Sequence, residues 1–155
     1  MESITATAEQ LPSVATRIID NLPITSVGAT VLALHGNLGA GKTSITQAIA
    51  DQLGVAETVT SPTFVIRKDY SITHTRWNQL VHIDAYRLES AAELEPLQFA
   101  ELLQASGVLL IVEWGERIAT ALPESTLHLE ISIRSDESRS IAPISHQAAA
   151  RLVYE

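Results

Sequence analysis

The chain has 155 residues, 46% hydrophobic and 18% charged, with no cysteine and a formal net charge of −8. That size suits a single domain over residues 1–155, and the composition excludes disulfides, thiolate metal sites and a cysteine nucleophile, while ten Lys and Arg without a basic run speak against tight direct binding of nucleic acid. No apolar run is long enough to span a bilayer, and Met1-Glu2-Ser3-Ile4 lacks the basic and apolar regions of a secretory signal, so a cytoplasmic protein without membrane contact is expected.

Leu11, Val14, Ala15, Ile18, Ile19 and Leu22 fall on one helical face and predict an N-terminal helix that covers a sheet. Its start carries two signals: Thr7 to Gln10 resembles a capping box, whereas Pro12 suits a later beginning. Val31-Leu32-Ala33-Leu34 reads as a buried parallel strand. Next comes Gly36-Asn37-Leu38-Gly39-Ala40-Gly41-Lys42-Thr43, which fills every fixed position of the phosphate-binding P-loop pattern G-x-x-x-x-G-K-[ST]. Ile45, Ala48, Ile49 and Leu53 follow at helical spacing, and Gly54 is a natural stop. Val59 to Ser71 is strand-like beyond Pro62, and Leu80 to Asp84 is a second strand. The polar turn His74 to Asn78 between them suggests a hairpin. Ala91 to Gln104 reads as one helix with Leu94, Leu97, Leu102 and Leu103 apolar. Val108 to Val112 is the clearest buried strand, and Leu127, Leu129, Ile131 and Ile133 alternate along a half-exposed one. A polar turn at 134–138, a short strand near Ile141 and a helix from Gln147 to Val153 close the chain. Buried strands separated by helices predict a three-layer α/β P-loop domain, its mainly parallel central sheet flanked by helices.

The chemistry centres on the P-loop. A strand, a glycine-rich turn and a helix N-terminus form an anion site, because backbone N–H groups and the helix dipole both favour negative charge. The binding segment is taken as Gly36, Asn37, Leu38, Gly39, Ala40, Gly41, Lys42, Thr43 and Ser44. Lys42 can reach the β- and γ-phosphates, and the Thr43 hydroxyl is placed to ligate Mg²⁺. The metal side needs a carboxylate at the end of an apolar strand. Glu113 ends the more apolar strand and is the first choice for Mg²⁺, with Asp84 the second candidate. Thr63, in Ser61-Pro62-Thr63-Phe64, stands where many P-loop proteins sense the γ-phosphate. His82 reads as a structural histidine, and Trp114 as core, a wall or lid over the phosphates, or a partner contact. No [NT]-K-x-D element supports guanine, so the nucleotide expected is ATP.

Four blocks occur in order: the P-loop; Ser61-Pro62-Thr63-Phe64 followed by Asp69-Tyr70; His82-Ile83-Asp84-Ala85-Tyr86-Arg87-Leu88; and Glu113-Trp114-Gly115-Glu116. Together they resemble the TsaE (older name YjeE) family, small ATPases of bacterial tRNA threonylcarbamoyladenosine synthesis, over nearly the whole chain. The resemblance implies binding of ATP with Mg²⁺ and slow hydrolysis. It implies action with a TsaB–TsaD heterodimer, which moves a threonylcarbamoyl group onto adenosine 37 of tRNAs reading codons that begin with A. Contact with tRNA would be indirect, through the complex. On this resemblance Thr43 and Glu113 are magnesium ligands, Lys42, Asp84 and Glu113 are catalytic, and Arg139 lies near the nucleotide with Trp114. The sequence departs from the family at Asn37, where Asp is common, and at Leu97-Gln98, where an L-G pair is frequent. Two other readings stay open: a small-molecule or nucleoside kinase, with Asp84 as base and Arg87 as clamp, and a nucleotide-dependent interaction module.

Overall fold

The structure, a computed structural model, describes residues 1–60 and 66–154. Its strands are β1 (Ile4–Ala6), β2 (Thr30–His35), β3 (Arg67–Ser71), β4 (Gln79–Asp84), β5 (Val108–Glu113), β6 (Leu127–Ile133) and β7 (Arg139–Ile144). They form one sheet in the order β1-β7-β6-β2-β5-β4-β3. The four central strands are parallel, while β3, β7 and β1 are added antiparallel at the edges. β2 and β5 are buried at every position, which explains their unbroken apolar runs.

Helices cover both faces. The first layer is α1 (Leu11–Asn21) with α2 (Lys42–Gln52). Val14, Ala15 and Ile18 of α1 and Ile45 and Ile49 of α2 pack on Leu32, Leu34, Leu109 and Ile111 of the sheet. The second layer holds α3 (Phe99–Gln104), α4 (His146–Ala149) and the 3-10 helices Ala91–Leu97 and Gly115–Ala121. There Leu94, Phe99, Leu102 and Ile118 pack on Val31, Val81, Leu110 and Val112. Alternate residues of one strand thus feed opposite cores. No described helix is long and apolar enough to cross a membrane.

Both signals at the N-terminal helix have a place. The Gln10 side chain accepts from the Thr7 N–H at 2.9 Å, closing a 3-10 turn at Ala8–Gln10, and α1 then begins at Leu11 with Pro12 in its first turn. The expected hairpin is β3 with β4.

Two expectations need correction, and two elements were not foreseen. Ala91 to Gln104 is not one helix: a 3-10 segment containing Pro96 meets α3 at Gln98, whose φ of 55° is left-handed. Gln98 therefore does what glycine does at no steric cost, at the position where the family's L-G pair is replaced. The final helix spans only His146–Ala149 before the chain turns away. β1 and the 3-10 helix Gly115–Ala121 were not foreseen; β1 has three residues, too few for a period to register.

One buried polar side chain makes stability depend on pH. His128 on β6 is 1% exposed. Burial, with the His35 and His146 rings beside it, pushes His128 from its ordinary 6.5 down to about 4. Between those values the unfolded chain binds a proton that the folded chain refuses. This contribution is complete above about pH 6.5 and is lost as pH falls toward about 4. The loss amounts to about 2 kcal/mol at pH 5. Urea unfolding at pH 7.5 and pH 5 should show that loss, and His128→Gln should show a smaller difference between the two.

Candidate functional site

The site lies at the C-terminal ends of the parallel strands, where β2, β4 and β5 stop at His35, Asp84 and Glu113. Ligand sites of open α/β sheets occur at this edge. The P-loop leaves β2, turns with Ala40 N–H donating to Asn37 O at 3.0 Å, and enters α2 at Lys42. Glycine is required at two of its positions. A Cβ on Gly36 would stand 2.4 Å from the Ile131 carbonyl oxygen of β6. Gly41 has φ +104°, and a Cβ there would stand 2.5 Å from Arg139 Nε.

Lys42 is 5% exposed. Its ammonium donates to Gly36 O at 2.6 Å and Asn37 O at 2.9 Å and sits 4.0 Å from the centroid of the Trp114 ring. Burial lowers its pKa, and the charges of Glu113, then Glu116 and Asp84, oppose that shift. A cation–π contact is worth most where water is excluded, as it is here.

Glu113 is 2% exposed and surrounded by donors. The Thr43 hydroxyl donates to its Oε2 at 3.0 Å, and the Thr46 hydroxyl to its Oε1 at 3.3 Å. His82 Nε2 lies 2.9 Å from the same Oε1 and must donate, because a carboxylate only accepts. His82 Nδ1 is buried and has no partner among the described residues. His82 is therefore more than a core histidine: it orients the candidate metal carboxylate. The signal available in sequence is its two-residue spacing from Asp84, which puts both side chains on one strand face.

Asp84 pairs in register with Glu113, one strand further from the P-loop. Its Oδ1 accepts from the Tyr86 N–H at 2.9 Å and so shapes the turn after β4. Asp84, Glu113, Lys42, Thr43 and Trp114 line one cavity of about 240 Å³, together with Leu38, Gly39, Gly41 and Tyr86. Arg139 begins β7 and lies against Gly41, and its Nε is buried without a partner among the described residues. Ser44 is in the first turn of α2. Thr63 lies outside the described residues, with the rest of Ser61–Phe64.

Trp114 follows Glu113 with φ 58° and ψ 42°, a left-handed conformation costly for a bulky residue and tolerated only where the surroundings hold it. The turn sends its ring to the face opposite the Glu113 carboxylate and back over Lys42. It is 3% exposed and part of the second-layer core, so of the roles considered for it core and wall both fit its place, and a partner could reach little of it. The exposed apolar groups at the cavity are Tyr86 at 44% and Leu38 at 75%.

The donor set fits a magnesium nucleotide. Thr43 and Glu113 offer hard oxygen ligands already within hydrogen-bond reach of each other, and the buried Arg139 Nε and the P-loop N–H groups suit an anion.

Comparison with known proteins agrees with this architecture. The chain is 38% identical over 112 residues to the tRNA threonylcarbamoyladenosine biosynthesis protein TsaE of Treponema pallidum, covering 72% of this chain and 79% of that one. It is 41% identical over 111 residues to the protein of the same name from Bacillus subtilis, covering 72% of this chain and 66% of that one. The crystal structure of Bacillus subtilis YdiB superposes with a TM-score of 0.66 at 26% identity, over 96% of this chain and 92% of the other. The family model for the threonylcarbamoyl adenosine biosynthesis protein TsaE matches residues 5–141, and the chain belongs to that family.

Proposed function

We propose that the site binds ATP with Mg²⁺ and hydrolyses it, and that this turnover cycles a TsaB–TsaD threonylcarbamoyl transferase during tRNA threonylcarbamoyladenosine synthesis. The observation that carries the reading is Thr43 donating at 3.0 Å to Glu113, at the mouth of a complete P-loop. Backbone N–H groups of Gly36–Thr43 hold the phosphates. Lys42, now on two carbonyls of its own loop, is the group that turns to the β- and γ-phosphates. Thr43 and Glu113 hold the metal, which when bound neutralises charge on the phosphate oxygens. Asp84 borders the same cavity and orders the attacking water. Arg139 offers its orphaned Nε–H beside the loop. Trp114 keeps Lys42 in a water-poor wall, and Thr63 is the proposed γ-phosphate contact.

The net charge of −8 favours a protein partner over direct contact with tRNA, a polyanion. The partner meets the nucleotide edge through Tyr86 and Leu38, the exposed apolar groups there. A cytoplasmic location follows from the pathway.

Lys42→Ala should abolish ATP turnover and most nucleotide affinity, measured by phosphate release and by titration with a fluorescent ATP analogue. Glu113→Gln keeps the size and loses the charge. Turnover should fall by about 10²-fold or more, with a much smaller loss of ATP affinity, because the charge matters most in the transition state. Unchanged turnover in either variant excludes the site as drawn. Tyr86→Ala should reduce turnover stimulated by purified TsaB–TsaD and tRNA more than it reduces turnover of the protein alone; equal loss in both assays would remove Tyr86 from the interface.

A further inference from the structure

A line of hydrogen bonds, buried at its middle link and part-buried at both ends, leaves the phosphate site and has no part in the roles assigned above. Glu116 lies three residues past Glu113, on the 3-10 helix Gly115–Ala121. Its side chain is 4% exposed. Oε2 lies 2.9 Å from Nδ1 of His35, the residue before Gly36, while Oε1 has no partner among the described residues. His35 Nε2 lies 2.9 Å from Nδ1 of His128 on β6. His128 Nε2 lies 3.0 Å from Nδ1 of His146 on α4. The His35 and His128 rings also stack, at 5.1 Å and 22°.

The chemistry of the partners gives this line a direction. A carboxylate only accepts, so His35 donates through Nδ1. With the three rings neutral each has one N–H: His35 Nε2 then accepts from His128 Nδ1–H, and His128 Nε2 from His146 Nδ1–H. In this arrangement every ring is the Nδ1–H tautomer and every bond points toward Glu116. A proton added at the outer nitrogen of His146 leaves its Nδ1–H donor in place. A proton added to His128 would set N–H against N–H, and burial opposes that proton.

Glu116 reaches the P-loop lysine through the backbone: its partner His35 ends β2 immediately before Gly36, whose carbonyl accepts from the Lys42 ammonium at 2.6 Å. The charge of Glu116, after that of Glu113, also supports that ammonium. Glu113 is engaged by Thr43, Thr46 and His82, and Asp84 takes the Tyr86 N–H. The neighbouring charges on the second layer are engaged elsewhere: Arg117 lies against the rings of Tyr86 and Trp114, and Glu130 accepts from the Tyr154 hydroxyl. Glu116 is thus the carboxylate whose partner among the described residues is a histidine on the P-loop strand.

We propose that Glu116 is a positioning residue for the P-loop lysine, and that His35, His128 and His146 hold it through a one-way hydrogen-bond chain running from α4 to β2. The inference rests on the reading of the P-loop as the ATP site. It couples the C-terminal helix to nucleotide affinity, although α4 borders none of the cavity.

Two measurements decide it. Long-range ¹H–¹⁵N correlation spectra of the imidazoles should show His35 and His128 neutral and protonated on Nδ1 at pH 7.5, with or without nucleotide. Finding either ring protonated on Nε2 overturns the chain. Titration with a fluorescent ATP analogue should show His146→Ala binding roughly five-fold more weakly, the worth of one hydrogen bond. His146→Asn should recover most of that loss, because its amide offers a donor near the position of Nδ1–H. Glu116→Gln, which keeps an acceptor for His35 and removes the charge, should lose at least as much affinity as His146→Ala. His146 is half-buried on a four-residue helix, and Glu116→Gln serves should the alanine variant fold poorly. Wild-type affinity in a folded Glu116→Gln overturns the positioning role while leaving the ATP site intact. A wild-type protein that binds no ATP overturns the ATP reading itself, and the positioning role with it.

Discussion

A carboxylate with almost no access to water is stable only if donors replace the water it has lost. Glu113 meets this condition from three directions: Thr43 and Thr46 on α2, and His82 on β4. These contacts fix more than the side chain. They tie the first turns of the P-loop helix to β5 and to the strand beyond it, so the loop's N–H groups stand in a set relation to the carboxylate. The threonines stand three apart, hence on one face of α2, and His82 is on the strand face that α2 covers. Helix register, strand register and the acid are therefore one constraint.

The sheet divides the work between its faces. Residues 109, 111 and 113 face α1 and α2, whereas 108, 110 and 112 face the second layer. Glu113 is the last residue of the strand, and the left-handed turn at Trp114 lets two neighbours serve one cavity from opposite sides. The carboxylate reaches the Thr43 hydroxyl, on the proposed metal side; the indole passes round the edge and meets the lysine. Gly115 makes this possible by packing close: a Cβ there would stand 2.8 Å from Ala33 Cβ and 3.0 Å from His35 Cε1. The Glu-Trp-Gly run is legible afterwards as a carboxylate, a wall and a close approach.

What the sequence revealed in advance was whatever repeats over short range. The P-loop is a contiguous pattern, β2 and β5 are unbroken apolar runs, and the β3–β4 hairpin follows from two strands around a polar turn. Asp84 and Glu113 were singled out because strand ends are local features, and both do end strands and line one cavity. Elements set by tertiary contact or by single backbone angles escaped. β1 exists because β7 offers an edge, and the break at Gln98 is one positive φ. His82 was read as structural because its partner, Glu113, is far along the chain. The histidine chain joins positions 35, 116, 128 and 146, a grouping that no spacing rule encodes. The loop at Ser61–Phe64 and the role given to Thr63 fall outside the described residues.

A net charge of −8 is a poor starting point for binding a polyphosphate. The long-range part of that repulsion is screened within about 10 Å at ordinary salt, so local groups decide the outcome. Those groups are few: one buried lysine, one arginine against the loop, and backbone N–H dipoles at a helix start. Burial works against the charge of this lysine and nearby acids support it, yet the same acids repel phosphate. The arrangement resolves this by giving each acid a second engagement: Glu113 to hydroxyls and His82, Asp84 to a backbone N–H, Glu116 to His35. Negative charge spread into donors supports the ammonium while presenting less of itself to the ligand. A site balanced this way responds to any group that alters those engagements, and two of the cavity's apolar side chains, Leu38 and Tyr86, face outward where another protein can reach them. On the proposed function, control of turnover from outside the domain would then be a consequence of how the charges are paired within it.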